Sequence, residues 1–218
     1  MRSWDICEVN TDETPIKGVM LRGRIRKFAI KNNLDLLTEN ASDTENTVRF
    51  AVHHGTGGTL LRPKLLGIGY DPGFEDKGVL SKNLRATVLH ECYHAVQGWS
   101  DENPTMVPTT LLEDGVLEGV ATVFEREYGK TTPPWSVYKD DETMHGWLSL
   151  VKQQNNDPNS RKYFDYKFGE VKGEKWMLYR LGTWIADKAL DSNPGLSITS
   201  LASKEAKDII SLAGLTDI

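Results

Sequence analysis

The sequence predicts an α+β fold that is rich in helix. Stretches with strand character are confined to the first third of the chain, and apolar residues recur at helical spacing through much of the remainder. Strands that precede a run of helices, instead of alternating with them, are typical of α+β proteins. At 218 residues the chain is long enough for one compact domain. We expect residues 1–46 to form an arm and a helix packed on a domain at residues 47–218.

Composition narrows the class of protein. The chain carries 26 Lys and Arg against 31 Asp and Glu, a net charge of −5 that argues against a general nucleic-acid-binding protein. It has neither the long apolar run of a membrane span nor the apolar core of a signal peptide, so we expect no membrane association. Cys7 and Cys92 do not make a disulfide framework, which suits a reducing compartment. These features predict a cytoplasmic location.

The N-terminal third supplies the predicted strands. Residues 1–12 are polar and unpatterned, which predicts an arm or short edge segment, and residues 14–32 show a helical period. Residues 47–53 alternate and are β-branched, as in a strand. The glycine-rich residues 53–59 are interpreted as a hairpin or flexible loop. Residues 64–71 predict a second strand, either a plain hairpin strand or an edge on which a substrate backbone could pair.

Helices are predicted for the rest of the chain. The first covers residues 80–99, with Ser81 as a possible cap and a stop near Gly98. The second covers residues 111–128 and ends at Gly129. The same reasoning places further helices at residues 141–154, 174–190 and 203–212.

The first predicted helix contains the sequence His90-Glu91-Cys92-Tyr93-His94. Positions four apart lie one above the other on a helix face, so His90 and His94 can present two imidazoles to one ion. Two imidazoles and a third ligand are the usual protein shell of a catalytic zinc, whose fourth position holds water. Glu91 is close enough to accept a proton from that water without binding the metal. The pattern predicts a zinc site with one Zn²⁺ per chain and Glu91 as general base.

The third ligand must come from further along the chain. Metzincins place Gly and His at the positions that Gln97 and Ser100 occupy here, so that class is excluded. Glu102, Glu113 and Glu118 are the candidates. Glu118 is preferred because its neighbours are apolar, and a carboxylate is costly to bury there without a cation. Its small neighbours Gly119 and Ala121 are interpreted as allowing close packing on the helix that carries His90.

The HExxH sequence followed by Glu118-Gly119-Val120-Ala121 resembles the gluzincin signature, in which the glutamate of an EGxA-type sequence is the third zinc ligand. Residues 178–185, Leu-Tyr-Arg-Leu-Gly-Thr-Trp-Ile, resemble a tyrosine-and-glycine helix in a small family of predicted zinc-dependent proteases with a gluzincin core. The resemblance covers about residues 47–212. It implies a zincin-like core with a short antiparallel sheet on the motif helix, and zinc-dependent hydrolysis of a peptide or protein substrate.

Further roles follow less directly. Gluzincins use a tyrosine or histidine to donate a hydrogen bond to the oxyanion, and the family resemblance makes Tyr179 the first choice and His145 the second. Asp114 lies one helical turn before Glu118. It could orient a zinc-bound imidazole, but a surface or capping role is preferred.

Three functional hypotheses remain open at this stage. A zinc metallopeptidase needs His90, His94, Glu118 and Glu91, whereas a non-catalytic zinc-binding module for partner recognition needs only the three ligands. A purely structural helical protein needs none of them. The sequence does not indicate the oligomeric state or the cleavage preference.

Overall fold

The computed structural model describes residues 5–9, 35–36, 55–62, 65–70, 74–98, 110–154 and 165–216. The chain divides into two compact units, residues 1–106 and 107–218. Its secondary structure is helix-rich with short strands, which confirms the predicted α+β class. The predicted helix at 14–32 and strand at 47–53 lie outside the described residues, and the predicted division after residue 46 stays a prediction.

The first unit contains a four-stranded sheet. Its order is β2-β1-β4-β3, and its strands are β1 (Asp5–Val9), β2 (Asp35–Leu36), β3 (Thr56–Arg62) and β4 (Leu65–Tyr70). β1 runs parallel to both of its neighbours, and β3 runs antiparallel to β4. The expected antiparallel arrangement therefore holds for β3 and β4 but not for the whole sheet. The prediction of an arm or edge segment at residues 1–12 is also wrong, because β1 pairs with a strand on each side. Polar and apolar residues do not alternate regularly in residues 5–9, so the sequence pattern did not indicate a strand.

The glycine-rich stretch predicted as a hairpin or flexible loop is, from Thr56 onward, the first strand of the β3–β4 hairpin. Thr56 and the residues after it pair with β4 in a register that sets Gly58 opposite Ile68. β4 has β1 on one side and β3 on the other, so the edge-strand alternative for residues 64–71 is wrong. Among the described residues, β3 has β4 as its one paired neighbour. Glycine in a strand interior often marks the close approach of another element, and here that element is the helix that follows.

Helix α1 (Lys77–Gln97) carries the HExxH sequence. The carboxylate of Asp76 accepts hydrogen bonds of 2.9 Å from the backbone N–H groups of Gly78 and Val79. This N-cap starts the helix three residues before the predicted Leu80, and Ser81 is not the cap. At the other end Gly98 adopts a left-handed conformation with φ of 81°, as expected for a glycine that ends a helix.

The second unit is mainly helical. It comprises α2 (Leu111–Gly129), a 3-10 turn (Pro134–Ser136), α3 (Asp141–Lys152), a hairpin of β5 (Glu170–Val171) and β6 (Glu174–Lys175), α4 (Met177–Ser192), α5 (Ile198–Leu201) and α6 (Ala206–Leu212). Two of these helices start later than predicted. The helix predicted from residue 174 begins at Met177 because residues 174–175 pair with β5 and Trp176 turns with a positive φ of 56°. The helix predicted at residues 203–212 begins at Ala206, and the short α5 that precedes it was not predicted.

α2 and α4 pack against each other through glycines. A Cβ on Gly119 would overlap the backbone of Gly182, and a Cβ on Gly182 would overlap the carbonyl oxygen of Gly115. The two backbones are therefore in direct contact, and no other residue type fits at Gly119 or Gly182. The small size of Gly119, interpreted from the sequence as allowing packing on the HExxH helix, allows the close approach of Gly182 on α4.

Among the described residues, no helix is long and apolar enough to cross a membrane.

Candidate metal site

His90 and His94 form a close pair of buried imidazoles on α1. Their side chains belong to residues that are 7% and 2% exposed, and their Nε2 atoms are 3.1 Å apart. Two nitrogens bound to one tetrahedral zinc, each at about 2.0–2.1 Å, would be separated by roughly 3.3 Å. The helix therefore holds the two nitrogens at nearly the spacing that one zinc ion requires.

Gln97 fixes the orientation of His94. Its Oε1 lies 2.9 Å from Nδ1 of His94. An amide oxygen can only accept, so this contact favours the His94 tautomer that has its hydrogen on Nδ1 and a lone pair on Nε2. Partners of this kind set the tautomer and the ring orientation of metal-binding histidines. This role of Gln97 was not predicted, although its position three residues after His94 places it on the same helix face.

Glu91 is buried under the edge strand. The residue is 7% exposed, and a Cβ on Gly58 would lie 2.6 Å from its Cγ and 2.8 Å from its Oε1. The strand is also joined to α1 by a 3.0 Å hydrogen bond between the hydroxyls of Thr56 and Thr87. The absence of a side chain at Gly58 thus makes room for the carboxylate of Glu91.

Cys92, the residue after Glu91, is kept in its unreactive thiol form. Burial, and to a smaller extent the charge of Glu91, raises the pKa of the Cys92 thiol to about 12. Thiolates are the nucleophilic and metal-binding form of cysteine. At neutral pH Cys92 is therefore protonated and belongs to the packing of α1.

Glu118 lies on α2, which is capped at its start by Thr110. It is 3% exposed, and its Oε1 lies 2.7 Å from Nζ of Lys167. The same ammonium is 2.9 Å from Oδ1 of Asp114, which is fully buried. The preferred surface or capping role for Asp114 is therefore wrong: the carboxylate points inward to a buried lysine. Glu118 was predicted to need a cation beside it, and Lys167 supplies one. No pattern in the sequence indicated this lysine.

The other candidates occupy different surroundings. Glu113 is only partly buried, and its backbone N–H donates to the hydroxyl of Thr110; Glu102 lies outside the described residues. The ring of Tyr179 on α4 has its centroid 5.9 Å from Nζ of Lys167, which brings it to the neighbourhood of Glu118. His145 packs edge-on against Trp184 at a centroid distance of 5.0 Å, as a structural aromatic residue does.

Among the described residues, His90, His94 and Glu118 form a buried group that could hold a metal ion, with ligand atoms all within 4.8 Å of one another. Two imidazoles and one carboxylate are a donor set found in catalytic zinc sites. A carboxylate offers about four lone-pair sites, so the pairing of Glu118 with Lys167 still allows it to bind an ion, and the two imidazole nitrogens have nearly chelating separation. The residues therefore fit a zinc ion.

The chain matches a known protein family. A family model described as "Predicted Zn-dependent protease (DUF2268)" matches residues 42–211, which is more than half of the chain. No curated protein and no solved structure matches the chain.

Proposed function

Because the chain belongs to this family of predicted zinc-dependent proteases, we propose that it is a gluzincin-type metallopeptidase that hydrolyses a peptide or protein substrate. His90, His94 and Glu118 hold one Zn²⁺, and Glu91 is the general base. The observation that carries the proposal is the pair of buried imidazoles on α1, with Nε2 atoms 3.1 Å apart, together with the buried Glu91 that follows His90 on the same helix.

The bound zinc would polarise the scissile carbonyl and lower the pKa of its water. The protein residues supply the remaining chemistry. Glu91 accepts the proton of the attacking water and later donates it to the leaving amine, which needs a carboxylate held within hydrogen-bond reach of both. Gly58 leaves the space for that carboxylate, and β3 covers it.

Tyr179 is proposed as the donor to the oxyanion. This assignment is supported by the family resemblance and by the position of its ring near Lys167, which itself contacts Glu118. His145 is the less suitable candidate because its ring packs on Trp184. A Tyr179→Phe variant would keep the ring and remove the donor hydroxyl.

The proposal is tested by Glu91→Gln, which keeps the shape of the side chain and removes its basicity. Zinc content should be unchanged because Glu91 is not a ligand, and turnover should fall by at least about 10²-fold. Substrates are found first by incubating the wild-type protein with a mixed peptide library and reading the products by mass spectrometry.

Glu113→Gln is a suitable control, since it makes the same chemical change at a partly buried glutamate of α2. It should leave both zinc and turnover near wild-type values. Equal cleavage by the wild-type and Glu91→Gln proteins would contradict the proposed mechanism. A zinc-loaded wild-type protein that cleaves nothing in the library would be explained equally by a peptidase of narrow specificity and by a non-catalytic zinc-binding module.

A further inference from the structure

A buried lysine contacts the proposed third zinc ligand. Nζ of Lys167 lies 2.7 Å from Oε1 of Glu118 and 2.9 Å from Oδ1 of Asp114, and the side chains of all three residues are at most 4% exposed. Exposed ion pairs contribute little, but a fully buried one is sensitive to the loss of either partner. A lysine is among the residue types least often found so deeply buried unless it is paired.

The three residues come from two separate segments. Asp114 and Glu118 are four residues apart on α2, so their carboxylates lie on the same helix face. Lys167 is on the segment just before the β5–β6 hairpin and reaches both of them. Its ammonium also lies 5.6 Å and 5.9 Å from the ring centroids of Phe168 and Tyr179. Two carboxylates and two aromatic rings thus surround the cation and define where it sits.

This arrangement bears on the way in which Glu118 can bind a metal. A carboxylate has two oxygens and about four lone-pair sites, so the same group can accept from Lys167 and coordinate an ion. An ammonium fixed on Oε1 restricts rotation of the carboxylate and competes for that oxygen, which disfavours binding of an ion through both oxygens at once. Ligating carboxylates are commonly hydrogen-bonded in this way, and loss of such partners typically lowers metal affinity by about 10–100-fold.

We propose that Lys167, held in place by Asp114, is a positioning residue that orients Glu118 and restricts it to binding zinc through one oxygen. This inference rests on the proposed zinc site. It assigns a role to a lysine for which the family resemblance gave none.

The test compares Lys167→Met with the wild-type protein. Methionine has nearly the length of lysine without its charge, so the substitution removes the contact to Glu118 and fills the same space. Zinc affinity, measured by competition with a chromophoric chelator, should fall by about 10–100-fold. Lys188→Met is the matched control, because Lys188 pairs with Asp141 on the surface at 2.7 Å, with 30% of its side chain exposed. That control should bind zinc as the wild-type protein does.

Two further readouts separate positioning from a general loss of stability. In a Glu118→Gln background the Lys167→Met change should reduce zinc affinity little further, because the interaction it removes is already altered. In the cobalt-substituted protein, Lys167→Met should weaken the visible d–d absorption, because a carboxylate free to bind through both oxygens raises the coordination number above four. A merely structural lysine would give additive losses and an unchanged cobalt spectrum.

The outcomes are distinct. If wild-type protein binds zinc, Glu118→Gln weakens it and folded Lys167→Met binds it as tightly as wild type, the positioning role is refuted and the proposed function stands. If wild-type protein binds no zinc, both fail. If Lys167→Met does not fold, Asp114→Asn carries the test: it removes the charge that holds Lys167, zinc affinity should fall several-fold, and an unchanged affinity overturns the inference.

Discussion

Gly58→Ala is expected to impair catalysis without removing the metal. The added Cβ would lie 2.6 Å from Cγ and 2.8 Å from Oε1 of Glu91, and 2.8 Å from Cγ2 of Thr87. Carbon atoms in contact prefer about 3.5–4.0 Å, so the groups must separate by roughly 1 Å. The strand cannot easily move away, because it is paired with β4 and its Thr56 hydroxyl is bonded to Thr87.

The displacement therefore falls largely on the carboxylate of Glu91. A misplacement of about 1 Å in a catalytic group can cost about 10²-fold in rate. We expect kcat/KM of Gly58→Ala to fall by about 10–100-fold on a peptide found with the wild-type protein, with zinc content still near one ion per chain. The loss should appear mainly in kcat, since Glu91 acts in the chemical step.

Gly146→Ala is the control for this substitution. Gly146 is an exposed residue of α3, and a Cβ there would meet no atom within 4 Å. This variant should keep full activity and gain about 0.4–1 kcal/mol of stability through reduced freedom of the unfolded chain. A folded, zinc-loaded Gly58→Ala protein with wild-type kcat/KM would refute the assignment of Glu91 as a base positioned under the strand.

Two other substitutions test the surroundings of the site. Gln97→Leu removes the acceptor of His94 Nδ1, so zinc affinity measured by chelator competition should fall by about 10–100-fold. Gln97→Glu keeps an acceptor oxygen and should retain more of the zinc affinity. Equal zinc affinity of Gln97→Leu and the wild-type protein would show that the contact does not orient His94. Gly119→Ala places a methyl group against the backbone of Gly182, and neither backbone can move without separating α2 and α4. The overlap should lower the free energy of unfolding by about 3 kcal/mol. The better helix propensity of alanine should restore about 1 kcal/mol of it. Urea unfolding should show a net loss of about 2 kcal/mol, and a variant as stable as wild type would mean that the helices do not cross at these glycines.

The predictable part of the site lies on regular helices. His90 and His94 are four residues apart on one helix, with Glu91 between them, and the neighbours of Glu118 are apolar or small. Helical periodicity and the cost of burying a carboxylate were therefore sufficient to select these residues as candidates. The end of α1 at Gly98 followed from the same rules. The start of α1 was not predicted correctly, because its N-cap, Asp76, lies before the residues with helical periodicity.

The missed features depend on contacts between segments that are distant in sequence. Gly58 lies in a stretch whose glycines resemble a turn; pairing with β4 makes it a strand, and the close approach of Glu91 explains the glycine. Lys167 lies 49 positions after Glu118 in a segment that mixes charged and aromatic residues, where nothing local distinguishes a buried lysine from a solvated one. Gly182, likewise, has a meaning only through the helix it crosses.

The central claim is that His90, His94 and Glu118 together hold one zinc ion. Elemental analysis of purified protein tests it most directly, on the wild-type, His94→Ala, Glu118→Gln and Glu113→Gln forms. We expect about one zinc per chain in the wild-type and Glu113→Gln proteins, and a large loss in the other two. Full zinc retention by Glu118→Gln together with loss in Glu113→Gln would move the third ligand to Glu113, and retention by a His90→Ala/His94→Ala double variant would contradict the site altogether.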